Sequence, residues 1–210
     1  MNFIDRLICE VDDGLRTVFA VSHPHRSMPL PEPSDPAVTL TNDEAAESIR
    51  LMRVNHCGEV CAQALYQGQA LVANSVTTRE LLRSAADEER DHLAWCEARL
   101  NSLGGKVSVL APFFYAGSFG LGVASGLLGD RWSMGFLVET ERQVEAHLHQ
   151  HLTLISPQDQ TSRAILEAMR EDEIRHGQSG SEHGAAPLPA AVKATMKVFS
   201  GAMTRSTYWV

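Results

Sequence analysis

The stretches DEERDHLAW, Asp87 to Trp95, and EDEIRHG, Glu171 to Gly177, decide how this chain folds. Each sets a glutamate three residues before a histidine, Glu89 with His92 and Glu173 with His176. A helix turns about 100° per residue, so positions three, four and seven apart share a face. Around Glu89 and His92 that face also carries Leu82, Ala85, Ala86, Leu93 and Cys96, which predicts that both point into the core, with Glu88 and Asp91 to the sides. Glu173 and His176 line up with Leu166 and Met169 in the same way. Asp172 also flanks Met169 and stands four residues before His176, so preferring Glu173 rests partly on its parallel with Glu89.

Each motif follows a helical stretch with one inward acid. In MGFLVETERQVEAHL, Glu141 shares the face of Met134, Leu137, Val138, Val144 and Leu148, while Glu139 falls on the opposite side. Glu145, one turn further along the same face, stays open as an alternative. In RVNHCGEVCAQALY, Glu59 shares a face with Met52, Ala62 and Tyr66 and is the one acid of the segment. Glu59 precedes Glu89 by 30 residues and Glu141 precedes Glu173 by 32, a degenerate repeat of helix pairs.

Four inward carboxylates are too costly to bury without positive charge, and no Lys or Arg shares their faces. Carboxylate and imidazole ligands suit iron or manganese, and a pair of ions needs bridging acids as well as terminal ones. One Glu from each of two helices plus Glu-x-x-His from each of two more is the ligand pattern of ferritin-like di-metal bundles. The candidate ligands are therefore Glu59, Glu89, His92, Glu141, Glu173 and His176. His56, His149 and His151 read as surface or supporting groups, with His147 the best placed to support a ligand. Cys57 and Cys61, one turn apart, read as small core residues rather than a redox pair.

The remaining chain organises around that pattern. Long helices are predicted at about 42–72, 78–101, 132–155 and 158–178, with capping boxes at Thr41/Glu44 and Thr77/Glu80 and stops at SLGGK, Ser156-Pro157 and GQSGSEHG. Nothing reads as a sheet, so the expected fold is all-α: a ferritin-like four-helix bundle over 41–210, with additional apolar, membrane-associating helices. Residues 1–21 read as an amphipathic helix on Phe3, Ile4, Leu7, Ile8, Val11, Leu15 and Val18. Five prolines between Pro24 and Pro36 make 22–40 an extended connector.

With 210 residues, 44% of them hydrophobic, one sizeable core is expected, and a net charge of −8 argues against a nucleic-acid partner. The four cysteines form no CxxC pair and no disulfide framework, and the N-terminus lacks a signal-peptide pattern, which suggests a bacterial cytoplasmic location. Residues 107–129 carry no charge, and as one straight helix they would be about 34 Å long, enough to span a bilayer. A single crossing would split the four glutamates between two sides, so this segment is expected to lie against the bundle or dip into one leaflet. The tail, with Lys193, Lys197, Arg205, Tyr208 and Trp209, suits either a membrane surface or a helix that closes the bundle.

Taken together, RVNHCGEVCAQALYQGQ, EERDHLAWCEARL, GLGVASGLLGDR, ETERQVEAHLHQHL and EDEIRHG resemble the demethoxyubiquinol hydroxylase family of ubiquinone biosynthesis, from about residue 40 to the C-terminus. In that family the metal ligands match Glu59, Glu89, His92, Glu141, Glu173 and His176, and small residues usually stand where this chain has Cys57 and Cys61. The resemblance implies a membrane-associated di-iron monooxygenase that hydroxylates a polyprenylated methoxy-methyl-benzoquinol with O₂ and two electrons. It further implies two iron ions bridged by Glu89 and Glu173, with Glu59 and Glu141 terminal. The location implied is peripheral, on the cytoplasmic face of the bacterial inner membrane, among membrane lipid. A homo-oligomer or a complex with other quinone-biosynthesis proteins stays open. The competing readings are a ferritin-like iron store or peroxidase, and a non-enzymatic lipid-binding bundle.

Overall fold

A computed structural model describes residues 3–31 and 39–210, and the described residues form seven helices and no strand. They are α1 (Phe3–Phe19), α2 (Asn42–Val72), α3 (Val76–Ser102), α4 (Ala111–Leu127), α5 (Asp130–Leu154), α6 (Gln160–Glu182) and α7 (Ala190–Thr207). α2 pairs with α3 and α5 pairs with α6, and contacts of α3 with α6 and α2 with α5 close the four into a bundle. This is the expected all-α bundle. Residues 32–38 of the proline-rich connector lie outside the described residues.

Local chemistry sets the helix ends. Thr41 caps α2 through a full capping box: its hydroxyl accepts from the Glu44 N–H, and the Glu44 carboxylate accepts from the Thr41 N–H at 2.8 Å. The box expected at Thr77 does not form, because α3 starts a little earlier with Ser75 as its cap. Asp130 accepts from the N–H groups of Asn74 and Ser75 and so ties the α2–α3 turn to the start of α5. α6 runs on to Glu182, past the predicted end at 178 but within the expected stop GQSGSEHG. Gly177 and Gly180 do not end it: a side chain at Gly180 would collide with Leu137 and Val138 of α5, so its missing Cβ serves close helix contact. The turn falls at Gly184, which adopts φ +82.

Two apolar clusters fill the bundle. One joins Leu51 and Met52 of α2, Trp95, Cys96 and Leu100 of α3, Leu148 of α5, and Ile165, Leu166 and Met169 of α6. The other joins Leu65, Tyr66 and Ala70 of α2, Leu82 and Ala86 of α3, and Met134 and Leu137 of α5. The six candidate ligands occupy the level between them.

The uncharged segment becomes α4, which at 17 residues would be about 25 Å long. Among the described residues no helix is long and apolar enough to cross a membrane. α4 lies along α2, where Gly68 faces the Phe119 carbonyl, Gly122 the Leu65 carbonyl, and Gly126 the Val72 side chain and the Gln69 backbone. A Cβ at Gly68 or Gly122 would meet backbone and drive the two helices apart, and one at Gly126 would press on the Val72 side chain. α7 rests on α2 and α5 through buried Met203 and Thr207.

α1 is amphipathic as expected, but it turns its polar face to the body. Glu10 pairs with Arg83 of α3, the Thr17 hydroxyl meets Gln63 of α2, and Gly14 sits against the Tyr115 ring of α4. Ile4, Ile8, Val11, Leu15 and Phe19 are exposed along the other side, and Phe113 of α4 and Val198 of α7 are 76% and 74% exposed. On α1 these exposed side chains form one outward apolar stripe.

Candidate metal centre

All six candidate ligands meet inside the bundle, one acid from α2, one from α5, and a Glu-x-x-His from each of α3 and α6. Their ligand atoms form two overlapping sets. Glu59, Glu89, His92 and Glu173 make one, Glu89, Glu141, Glu173 and His176 the other, and within each set the atoms lie within 4.8 Å of one another. Glu89 and Glu173 belong to both. Glu89 is fully buried, and Glu59, Glu141 and Glu173 are 2%, 1% and 1% exposed.

The alternatives left open by the sequence separate here. Glu145 pairs with Arg170 at 2.7 Å outside the cluster, while Glu141 accepts a 2.5 Å hydrogen bond from the Tyr66 hydroxyl. Glu173 reaches the centre, and Asp172 stands one layer out. Glu139 is not on an open side: it is buried, with Arg142, Gln143 and Lys193 around its carboxylate, because α7 covers that face. Asp91 is likewise buried rather than lateral, covered by residues 25–26.

Each imidazole is held from behind by an acid of the opposite helix. His92 Nε2 lies 2.9 Å from Asp172 Oδ2, and His176 Nε2 lies 3.1 Å from Glu88 Oε2. An ionised carboxylate only accepts, so Nε2 carries the donated proton and Nδ1 is the atom aimed at the cluster. His92 Nδ1 sits 2.8 Å from Glu89, 3.4 Å from Glu173 and 3.7 Å from Glu59. His176 Nδ1 sits 3.4 Å from Glu89, 3.6 Å from Glu141 and 3.7 Å from Glu173. Arg175 joins the two outer acids, at 2.8 Å from Glu88 and 2.7 Å from Asp172.

Sequence reading missed this outer layer, although a signal was present. In both motifs an acid immediately precedes the inward glutamate, Glu88 before Glu89 and Asp172 before Glu173. His147 has no partner at Nε2 and stands instead in the wall of a cavity that Glu59 also lines. His56 is buried with an unpartnered Nδ1. Cys57 packs beside Val60, Leu93 and Met203, and both Cys57 and Cys61 are free thiols.

The donor set fits cations. Glu89 Oε1, Glu141 Oε2, both Glu173 carboxylate oxygens and His176 Nδ1 are buried without a hydrogen-bond partner, which is rare unless something else satisfies such atoms. Burial drives Glu59 and Glu141 well above the ordinary carboxylate range, and the neighbouring glutamates push them the same way. Burial opposes ionisation of Glu89 as well, yet the flanking His92 and His176 hold it low. Desolvation is outweighed at the two histidines by the carboxylates facing them, and both are raised. Protons and a bound metal ion would compete for the same atoms.

The family model described as "Ubiquinone biosynthesis protein COQ7" matches residues 46–207. A protein of Chromobacterium violaceum named 3-demethoxyubiquinol 3-hydroxylase is 54% identical, covering 99% of this chain and 100% of its own length. Proteins of the same name from Dechloromonas aromatica and Laribacter hongkongensis are 53% and 51% identical, covering 97% and 99% of this chain and 98% and 100% of their own. The chain belongs to the COQ7 family of ubiquinone biosynthesis proteins.

Proposed function

We propose that this chain is a membrane-associated di-iron monooxygenase that hydroxylates the ring of a polyprenylated methoxy-methyl-benzoquinol, the demethoxyubiquinol of its relatives' name. Glu59, Glu89, His92 and Glu173 would hold one iron, and Glu89, Glu141, Glu173 and His176 the other. A di-iron pair of this kind supplies the activation of O₂ that an organic side chain cannot perform. The protein's share is to keep His92 and His176 aimed through Asp172 and Glu88, and to keep water scarce around buried carboxylates.

The observation that carries the substrate reading is a cavity between α2, α4, α5 and α7 whose wall includes Glu59. Leu65, Leu121, Val144, Phe199 and Met203 give it an apolar lining that suits a ring with an isoprenoid tail. Asn55, Gln143 and His147 offer polar atoms for the ring oxygens. An iron store or a peroxidase would use the same six ligands but would have no use for an apolar chamber against one of them.

Membrane attachment is supported by the outward apolar stripe of α1 and the exposed Phe113 and Val198; the cytoplasmic face of the inner membrane is the location proposed for it. The test is oxygen consumption by the iron-reconstituted protein, presented with a reductant and a short-chain demethoxyquinol. Hydroxylated quinol formed in proportion to O₂ supports the reading; iron oxidation with the quinol untouched contradicts it.

A further inference from the structure

The segment that leaves α1 is more than a tether. It lies across α3 and α6 at the back of the metal centre, where the N–H of His25 donates to Asp91 Oδ1 at 2.6 Å and the N–H of Ser22 donates to Glu97 at 3.3 Å. Arg26 is its hub. Its Nε donates to Asp91 Oδ2 at 2.8 Å and its Nη2 to Asp172 Oδ2 at 2.7 Å, its carbonyl accepts from the Trp95 indole at 3.3 Å, and its guanidinium lies 4.8 Å over the Trp95 ring. Asp172 Oδ2 is the same oxygen that His92 Nε2 faces at 2.9 Å. The chain Arg26, Asp172, His92 therefore runs unbroken from outside the bundle to the cluster, and Arg26 precedes the residues 46–207 that match the family model.

We propose that Arg26 is a positioning residue for one half of the metal centre. By fixing the Asp172 carboxylate with one arm of a planar fork, while the other arm is anchored on Asp91, it sets the direction in which His92 presents Nδ1. The two halves differ in this respect. The Glu88 carboxylate behind His176 is held by Arg175 of its own bundle, whereas Asp172 receives both Arg175 and Arg26. The N-terminal segment thereby acts directly on the ligand set of His92, and reaches that of His176 only at one remove, through Arg175 and the shared glutamates. This rests on the di-metal reading given above.

The test is anaerobic iron(II) binding by the full chain, with near-infrared circular dichroism of the ferrous ions as a second readout, in wild type, Arg26→Ala, Asp172→Asn and the double variant. Wild type is expected to bind two irons. Arg26→Ala should weaken one of the two by about tenfold, at the low end of what a group behind a ligand contributes, and should shift the spectrum of that ion more than that of the other. In the Asp172→Asn background the same change should weaken binding by less than about twofold, since its route is already cut. Equal weakening of both irons, an unchanged spectrum, or an equal effect in both backgrounds would overturn the proposal. Should Arg26→Ala not fold, Arg26→Lys keeps the charge but cannot span both acids, and a smaller, one-sided weakening is required of it. Failure of the wild type to bind iron would sink the metal reading itself, a distinct result.

Discussion

A carboxylate inside a protein is stable only as part of a larger charge account, and the outer acids decide that account here. Glu88 and Asp172 each stand behind the histidine of the other helix, so the loss of either should act most on the ligand set of that histidine. Glu88→Gln is expected to weaken the iron held by His176, and Asp172→Asn the iron held by His92, each by about 10–100-fold in a binding titration. Equal weakening of both ions in either variant would contradict the paired geometry. His56 carries a second residue-scale consequence. Burial lowers its pKa from 6.5 to about 4, so the unfolded chain binds a proton between those values that the folded chain does not. Its contribution is intact above about pH 6.5 and is lost as the pH falls toward 4. Urea unfolding at about pH 7 and pH 4.5 should show wild type losing about 2 kcal/mol more than His56→Gln. An identical loss in the two proteins would show that this histidine does not couple folding to pH. The inward glutamates were legible in the sequence because a helical face averages over many positions. Asp91 and Glu139 were not, because what buries them is a distant segment, residues 25–26 in one case and α7 in the other.

At the scale of the helix, spacing of apolar residues and the Thr41 box placed α2, α3, α5 and α6 to within a few residues, and the turn after α6 falls at Gly184, the last glycine of the expected stop. A glycine in a helical pattern signals either an end or a close approach, and composition alone does not separate these. In α6, Gly180 serves close approach; in α4, so do Gly122 and Gly126. Gly122→Ala would thrust a methyl group at the Leu65 carbonyl, a backbone atom that cannot swing aside. The α2–α4 contact should then open, at a cost of about 1–3 kcal/mol in thermal or urea unfolding. Gly120→Ala is the control, since nothing lies within 4 Å of the added carbon. Equal stability of the two variants would contradict the close-contact account. α1 makes the complementary prediction for lipid. Replacing Ile8 and Leu15 by Asp touches only its outward stripe, so folding should persist while sedimentation with liposomes falls severalfold. Undiminished sedimentation would place the membrane contact elsewhere.

Across the whole molecule, two helix pairs face each other and put the acids of both at one level, between two apolar clusters. The 30- and 32-residue spacings made that convergence legible, because residues at matching depths in paired helices must meet once the bundle closes. The inside-out orientation of α1 was not legible: an amphipathic period shows that two faces exist, and only the docking partners, here Arg83, Gln63 and Tyr115, determine which one turns inward. The central claim is that the four inward carboxylates are tolerated because they share a pair of cations. Anomalous diffraction from crystals of the iron-loaded protein tests it most directly. Two iron peaks are predicted, one among Glu59, Glu89, His92 and Glu173 and the other among Glu89, Glu141, Glu173 and His176. Iron bound away from these side chains, or an iron-soaked crystal with no peak between the four helices, would contradict the account.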